Sequence, residues 1–151
     1  MKILFVCLGN ICRSPAAEAI FHKKIQSLSQ QPTVYESAAT SNHHNDEPAD
    51  ERMRAALAGY GYETISRSRQ VCRDDFQNFD LILAMDQQNY QSLIRSKPED
   101  SQSKIKLICE YSDMEYTEVP DPYYGGSEGF DIVIKILENC IDRIINKHFN
   151  Q

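Results

Sequence analysis

The sequence predicts a single-domain α/β fold: a doubly wound, four-stranded parallel sheet in flavodoxin-like order with helices on both faces. Short apolar runs alternate with segments of helical periodicity, and this alternation is typical of parallel sheets covered by helices on both sides. The 151 residues are enough for one domain, which we expect to extend over residues 1–151. We find no internal repeat, low-complexity segment or linker in the sequence.

Four apolar runs bounded by turn residues are predicted to form the strands. They are Lys2–Val6, Thr33–Ser37, Asp80–Met85 and Lys104–Cys109. Runs of this length are typical of short buried strands. Because ligands of such folds bind beyond the carboxyl ends of the strands, the residues that follow the first strand are the first place to look for a site.

Apolar residues at helical spacing occupy the intervals between the strands. After the first strand they are Ala17, Phe21, Ile25 and Leu28. After the second they are Met53, Ala56 and Leu57. Asp86 suits the N-cap of a helix over Gln87–Arg95, although its position after the third strand also faces the expected site. The segment Glu128–Lys147 carries a broad apolar stripe and predicts a long core helix.

The segment after the first strand reads Cys7-Leu8-Gly9-Asn10-Ile11-Cys12-Arg13-Ser14. Ser14 suits an N-cap and Pro15 the first position of a helix, so this loop is expected at a helix N-terminus. The unpaired N–H groups and the helix dipole at that end attract a dianion and favour a thiolate over a thiol. The sequence therefore predicts a phosphate-binding loop in which Cys7 is a charged nucleophile.

Other side chains of this loop suit the same chemistry. Gly9 allows a positive φ without steric cost, and Asn10 tolerates the left-handed region better than most residues. The planar guanidinium of Arg13 matches two phosphate oxygens. Besides capping the helix, the Ser14 hydroxyl has a second candidate role, which is to hydrogen-bond the Cys7 sulfur and stabilise it as a leaving group. A Cys-x5-Arg pair alone is weak evidence for a catalytic loop. Its position in a turn between a strand and a helix strengthens the catalytic interpretation.

A second motif lies far along the chain, at Asp121-Pro122-Tyr123-Tyr124-Gly125-Gly126. Taken alone, this pattern is typical of a turn. However, a thiolate that displaces an alkoxide or phenoxide from phosphorus needs a general acid for the departing oxygen. Asp121, on a loop stiffened by proline, is the candidate. We expect Tyr123 and Tyr124 to form walls of the cleft because they directly follow it.

The chain resembles the low-molecular-weight protein tyrosine phosphatases, on the strength of residues 6–15 and 121–125. Shorter segments extend the similarity over nearly the whole chain: Ser37–Thr40, Glu47–Asp50, Arg69–Val71, Asp75–Phe76 and Phe79–Asp86. The resemblance implies a cytoplasmic enzyme that hydrolyses phosphotyrosine in proteins through a phosphocysteine. It also implies that no metal or cofactor takes part.

The resemblance also assigns roles to residues of the two motifs. It implies Cys7 as the nucleophile, Arg13 as the group that binds and stabilises the transferring phosphoryl group, and Asp121 as general acid and then general base. Asn10 and Ser14 would hold the loop in shape. The residues predicted to contact substrate are Leu8, Gly9, Asn10, Ile11, Cys12, Ser14, His43, Tyr123 and Tyr124.

Three further positions bear on the comparison with this family. Cys12 resembles the family's second cysteine, which can form a reversible disulfide with the nucleophile. Where many relatives carry a Trp or Tyr on the rim, this chain reads Asn42-His43-His44. Where many relatives have a histidine that braces the loop asparagine, this chain has Ser66. We therefore expect a different rim and differently built support for Asn10.

Composition excludes several classes of function. The net charge of −6 argues against a nucleic-acid surface. No apolar run approaches the ~18 residues of a membrane span, and the N-terminus enters a strand too soon for a signal peptide. Five scattered cysteines make neither a disulfide framework nor a zinc spacing, which fits a reducing compartment. We expect a cytoplasmic protein, a monomer or weak homodimer, whose partner is a tyrosine-phosphorylated protein.

Two other functions compete with the phosphatase interpretation. A thiol-dependent arsenate reductase uses a similar loop, but it needs additional thiols for a disulfide cascade and has no need of Asp121. Cys72 is the only cysteine of the middle segment and has no neighbouring partner in the sequence. A non-catalytic phosphotyrosine-binding module is the other alternative. Nothing in the sequence motivates it, because Cys7, Arg13 and Asp121 are all intact.

Overall fold

Strands and helices alternate along the chain in the computed structural model, which describes residues 1–28, 33–123 and 125–149. The elements are β1 (Lys2–Cys7), α1 (Arg13–Ile25), β2 (Val34–Ala39), α2 (Glu51–Gly59), α3 (Asp75–Asn78), β3 (Leu81–Ala84), α4 (Gln87–Ser96), β4 (Lys104–Leu107), a 3₁₀ turn (Ile108–Tyr111) and α5 (Glu128–His148). This order confirms the predicted alternation of the two kinds of element.

The four strands form one parallel sheet in the order β2-β1-β3-β4, which confirms the predicted architecture. The strand order reverses beside β1, because the chain crosses from β2 over β1 to β3. Cys7, the last residue of β1, pairs with Ala39 at the end of β2. The loop that follows β1 therefore lies at the switch point, beyond the carboxyl ends of the strands, where open α/β sheets bind ligands.

Helices cover both faces of the sheet, and β1 shows how the sequence divides between them. Ile3 and Phe5 point into the larger core, which is formed mainly with α1, α2 and α5. Leu4 and Val6 point into the smaller core, formed with α3 and α4. All four side chains are fully buried, as expected for a central parallel strand. The position of the site is thus fixed by the best-packed strand of the molecule.

The start of α1 corrects one prediction, since the helix begins at Arg13 and its N-cap is Cys12 rather than Ser14. The Cys12 carbonyl already accepts a hydrogen bond from the Ala16 N–H, so the helical pattern starts two residues earlier than expected. Pro15 is tolerated as the third helical residue because an N–H there lacks an intrahelical partner in any case. The Ser14 side chain is thereby directed into the loop instead of capping the helix.

Other boundaries differ by a few residues. β2 is shifted toward Ala39 because its last residues pair with the end of β1. β4 stops at Leu107, where the chain enters the 3₁₀ turn and Glu110 Oε2 accepts the Leu107 N–H at 2.9 Å. The predicted N-cap Asp86 is confirmed, since its Oδ1 accepts the Asn89 N–H at 2.8 Å. None of the helices in the described residues is long and apolar enough to cross a membrane.

Candidate active site

The cysteine loop, residues 7–14, is held from outside by its carbonyl groups. Three of them accept backbone N–H groups of neighbouring segments at 2.7–3.0 Å: Cys7 from Thr40, Leu8 from Ser41 and Ile11 from Asp50. With these carbonyl oxygens turned outward, N–H groups are free to face the interior of the loop. One of them, on Asn10, donates to Cys7 Sγ at 3.2 Å. The loop thus curls around the sulfur.

Asn10 is the residue that closes this curl. Its φ is 57°, which confirms the predicted left-handed conformation. The side chain is almost fully buried and is held at both ends: Oδ1 accepts the Arg69 N–H at 3.1 Å, and Nδ2 donates to Ser14 Oγ at 2.7 Å. These bonds stabilise a backbone conformation that few side chains adopt. Asn10 therefore serves both as a turn residue and as a brace.

Ser14 completes a short chain of hydrogen bonds that ends on the Cys7 sulfur. Its Oγ lies 3.0 Å from Cys7 Sγ, which confirms the predicted contact. Because this oxygen already accepts a hydrogen bond from Asn10, the hydroxyl hydrogen is available to the sulfur. Both Ser14 and Cys7 are buried, so the sulfur sits among polar donors with little water around it.

Gly9 has a different role from the one expected. Its φ is not positive; of the described glycines only Gly61 has a positive φ. A Cβ on Gly9 would instead lie 3.1 Å from Cδ2 of the His44 ring. Glycine suits this position because the side chain of His44, on the rim of the pocket, approaches the loop closely. The prediction of a left-handed Gly9 was wrong, since Asn10 alone supplies the left-handed residue of the curl.

Arg13 is buried, and its guanidinium lies beyond the carboxyl ends of the strands. Nη1 donates to Asp86 Oδ2 at 2.7 Å and to the Val119 carbonyl at 3.0 Å, while Nη2 lies 3.6 Å from Asp121 Oδ2. Burial alone would lower the pKa of Arg13, but the neighbouring Cys7 and Asp86 outweigh it and raise that pKa. The guanidinium therefore stays positively charged, and two hydrogen bonds fix the position of its Nη1.

Asp121 lies at the open side of the same pocket. Its side chain is 39% exposed, so water reaches it, and its Oδ1 accepts the Tyr123 N–H at 3.0 Å. This bond tightens the loop around Pro122, as an Asx turn does. Asp121 is thus a partly solvated carboxylate held beside the guanidinium of Arg13, on the side opposite to Asp86.

These groups enclose a pocket of about 100 Å³, small enough for a phosphate-sized anion. It is lined by Cys7, Leu8, Gly9, Ile11, Cys12, Arg13, His43, His44, Asp121 and Tyr123. The structure thus brings the predicted residues together, with Asn10 and Ser14 placed behind the pocket as supports of Cys7. Tyr124 lies outside the described residues.

The rim contains residues that the sequence interpretation did not name as site residues. His44 faces Tyr123 with ring centroids 6.4 Å apart. On another side, Arg52 places its guanidinium carbon 5.2 Å from the Tyr123 ring centroid and 5.0 Å from that of Phe130. A sequence signal existed for His44, next to His43. None existed for Arg52, whose contacts depend on the packing of α2 against the Asp121 loop.

The support of the loop is built without the family's bracing histidine, as the sequence indicated. Ser66 does not bond Asn10; it donates to Glu18 Oε1 at 2.6 Å, and Ser37 donates to the same oxygen at 2.7 Å. Burial raises the pKa of Glu18, which makes these two hydroxyl donors important to its charged form. The brace of Asn10 comes instead from the backbone of Arg69.

Cys12 faces the same pocket as Cys7 but differs from it electrostatically. Burial, followed by the nearby charge of Asp50, raises the pKa of the Cys12 thiol to about 12. Cys12 is therefore a neutral thiol at physiological pH. It also lacks the Ser14 and Asn10 donors that converge on the Cys7 sulfur.

Comparison with known proteins agrees with this arrangement. The model of the low molecular weight phosphotyrosine protein phosphatase family matches residues 2–150. A low molecular weight phosphotyrosine protein phosphatase of Gallus gallus is 38% identical over 149 residues, covering 97% of this chain and 94% of its own. One of Schizosaccharomyces pombe is 39% identical, with 91% of each chain covered. A crystal structure of a protein tyrosine phosphatase from Entamoeba histolytica superposes with a TM-score of 0.93 at 48% identity, covering 97% of this chain and 96% of that one. The chain therefore belongs to the low molecular weight phosphotyrosine protein phosphatase family.

Proposed function

We propose that this protein is a metal-independent protein tyrosine phosphatase that hydrolyses phosphotyrosine through a phosphocysteine on Cys7. The observation that carries the proposal is the position of the Cys7 sulfur, which accepts two hydrogen bonds inside a loop crossed by the fixed guanidinium of Arg13. Residues 1–151 act as one domain in this proposal.

Binding of the phosphoryl group rests on the cysteine loop and Arg13. The N–H groups of the loop, at the N-terminus of α1, attract the dianion, and the helix dipole reinforces them. Asp86 and Val119 occupy Nη1 of Arg13, so the phosphoryl oxygens bond its Nε and its Nη2, which lies 3.6 Å from the Asp121 carboxylate. The phosphorus is thereby held above the Cys7 sulfur, in a pocket of about 100 Å³ that suits an anion the size of phosphate.

In the first chemical step the Cys7 thiolate attacks phosphorus. An S–P bond forms as the bond between phosphorus and the tyrosine oxygen breaks, and Asp121 gives its proton to the departing phenolate oxygen. Arg13 and the loop N–H groups stabilise the charge on the transferring phosphoryl oxygens. The exposure of Asp121 at the pocket mouth suits this role, because the leaving group departs toward solvent.

In the second step the phosphocysteine is hydrolysed. The Asp121 carboxylate accepts a proton from a water molecule whose oxygen attacks phosphorus, and the S–P bond breaks to release inorganic phosphate and the Cys7 thiolate. The Ser14 hydroxyl, which contacts the sulfur at 3.0 Å, stabilises the leaving thiolate. Each group is thus returned to its starting protonation state.

The arsenate reductase alternative is not favoured. Its disulfide cascade needs a further thiol near the nucleophile in addition to Cys12, and no third cysteine lines the pocket among the described residues. Cys72 is exposed, and Cys109 and Cys140 are buried in the larger core. A non-catalytic binding module is equally unsupported, because it has no use for the carboxylate of Asp121 beside Arg13. We further propose a cytoplasmic protein, monomeric or weakly dimeric, that binds neither nucleic acid nor membrane.

We also propose that Cys12 protects the nucleophile from irreversible oxidation. Peroxide oxidises the Cys7 thiolate to a sulfenic acid. The Cys12 sulfur, which lines the same pocket, then displaces water from it, forming a Cys7–Cys12 disulfide as the Cys12 proton is lost. Reduction by an added thiol restores both cysteines. A sulfur held in the disulfide does not advance to sulfinic acid.

Replacing the nucleophile tests the first step. Cys7→Ser should abolish turnover of p-nitrophenyl phosphate, measured with EDTA present, because a serine hydroxyl is far less nucleophilic than a thiolate. Vanadate binding should remain measurable, because backbone N–H groups and Arg13 supply most of the cradle. The exposed cysteine offers a matched control, and Cys72→Ser should retain full activity. Turnover by Cys7→Ser above a few per cent of wild type would contradict the proposal.

Removing the general acid should matter most when the leaving group is poor. Acid–base assistance contributes about 10²–10⁴-fold, so Asp121→Asn should slow phosphotyrosine hydrolysis by roughly this factor and p-nitrophenyl phosphate hydrolysis much less. The measurement is kcat for a series of aryl phosphates against leaving-group pKa. Asp113→Asn, on the same connecting segment but paired with Arg143, is the control. An unchanged slope in Asp121→Asn would assign the proton to another residue.

Substitution of Cys12 should leave phosphatase activity intact but prevent its recovery after oxidation. Cys12→Ser should keep basal activity, because a neutral thiol of pKa about 12 contributes no charge to the pocket at neutral pH. After peroxide treatment, wild type and Cys72→Ser should regain activity with dithiothreitol, whereas Cys12→Ser should not. Equal recovery in Cys12→Ser would show that Cys12 gives no protection. Peptide mass mapping identifies the disulfide directly.

A further inference from the structure

A groove lies beside the active-site pocket and runs along α4. Its volume is about 530 Å³, and it begins at Leu8, which lines both the groove and the pocket. Leu8 is 42% exposed, so its side chain forms the lip between the two. One wall is formed by Thr40 and Ser41, which follow β2, and the Ser41 N–H and hydroxyl both bond the Leu8 carbonyl, at 3.0 and 2.8 Å. The groove and the pocket therefore adjoin each other at Leu8.

The opposite wall is a row of polar side chains at helical spacing. Gln87, Gln91 and Arg95 follow one another at i, i+4 and i+8, so they project from the same face of α4. The eight-residue rise along the helix is about 12 Å. An extended peptide advances about 3.3 Å per residue, so a segment of roughly four residues matches this length. The row is therefore about as long as an extended peptide of roughly four residues.

The side-chain chemistry of the row suits a peptide backbone followed by an acidic group. Glutamine amides both donate and accept hydrogen bonds, as the N–H and C=O groups of an extended chain require. Arg95 is the one charged side chain lining the groove, and no carboxylate within the described residues forms an ion pair with it. Its charge is left for a carboxylate that comes from another molecule.

We propose that this groove binds the segment of the substrate protein that flanks the phosphotyrosine. The segment lies extended along α4, its backbone bonds the glutamine amides, and an acidic side chain three or four residues from the phosphotyrosine pairs with Arg95. The proposal rests on the phosphatase function above. It makes Arg95 a specificity-determining residue for protein substrates while leaving the chemical step untouched.

The test uses phosphotyrosine peptides that carry a single Glu, or Gln in its place, at each of the four positions on either side of the phosphotyrosine. Wild type should favour Glu over Gln by about 2–5-fold in kcat/KM at three or four residues on one side, as a solvated ion pair allows. Arg95→Glu should remove that preference and favour Lys at the same position. Added salt should weaken both effects. p-Nitrophenyl phosphate, which is too short to enter the groove, should be hydrolysed equally by both proteins.

Lys135→Glu is the matched control, because this exposed lysine lies on α5, on the opposite face of the sheet from α4. It changes the net charge by the same amount and should keep the wild-type peptide preference. The proposal is overturned if wild type shows no preference at any position, or if Arg95→Glu keeps it. Failure of wild type to hydrolyse p-nitrophenyl phosphate would instead overturn the phosphatase function, so the two failures are distinguishable.

Discussion

The ion pair between the buried Arg13 and the partly buried Asp86 is the interaction on which the rest of the site depends. It joins the loop after β1 to the loop after β3, and the second bond of Nη1, to the Val119 carbonyl, ties in the segment that carries Asp121. Three separate stretches of chain are thereby set around one guanidinium. Burying such a cation is costly unless its partners are well placed, and removal of one partner leaves an uncompensated charge. Asp86 meets this requirement while it also caps α4.

A second constraint acts on the nucleophile. The left-handed Asn10 and the early start of α1 turn both the Asn10 N–H and the Ser14 hydroxyl toward Cys7. The same geometry leaves Cys12 a neutral thiol in the same pocket. Two cysteines five positions apart thus acquire different chemistry from their surroundings. The support behind them comes from Asn10, whose side chain is braced by the backbone N–H of Arg69, while Ser37 and Ser66 donate to Glu18 instead.

The sequence was sufficient for those features that depend on local pattern. The parallel sheet, the long α5, the Asp86 cap and the left-handed Asn10 follow from the alternation of elements, periodicity, capping preference and backbone sterics. Features that depend on packing were not accessible. Gly9 was assigned a conformational role, but the reason for glycine there is the approach of His44, a contact across more than thirty residues. Arg52 between two aromatic rings is another such case.

The most direct test of this account is the Asp86→Asn variant. Asparagine is as good an N-cap as aspartate, so α4 and the thermal unfolding midpoint should change little. The charge that fixes Arg13 is lost, however, and a misplaced catalytic group costs up to about 10²-fold. We therefore expect kcat/KM to fall toward that factor and inhibition by inorganic phosphate to weaken in parallel. A variant with wild-type kcat/KM and wild-type phosphate inhibition would contradict the account, because Arg13 would then hold its position without Asp86.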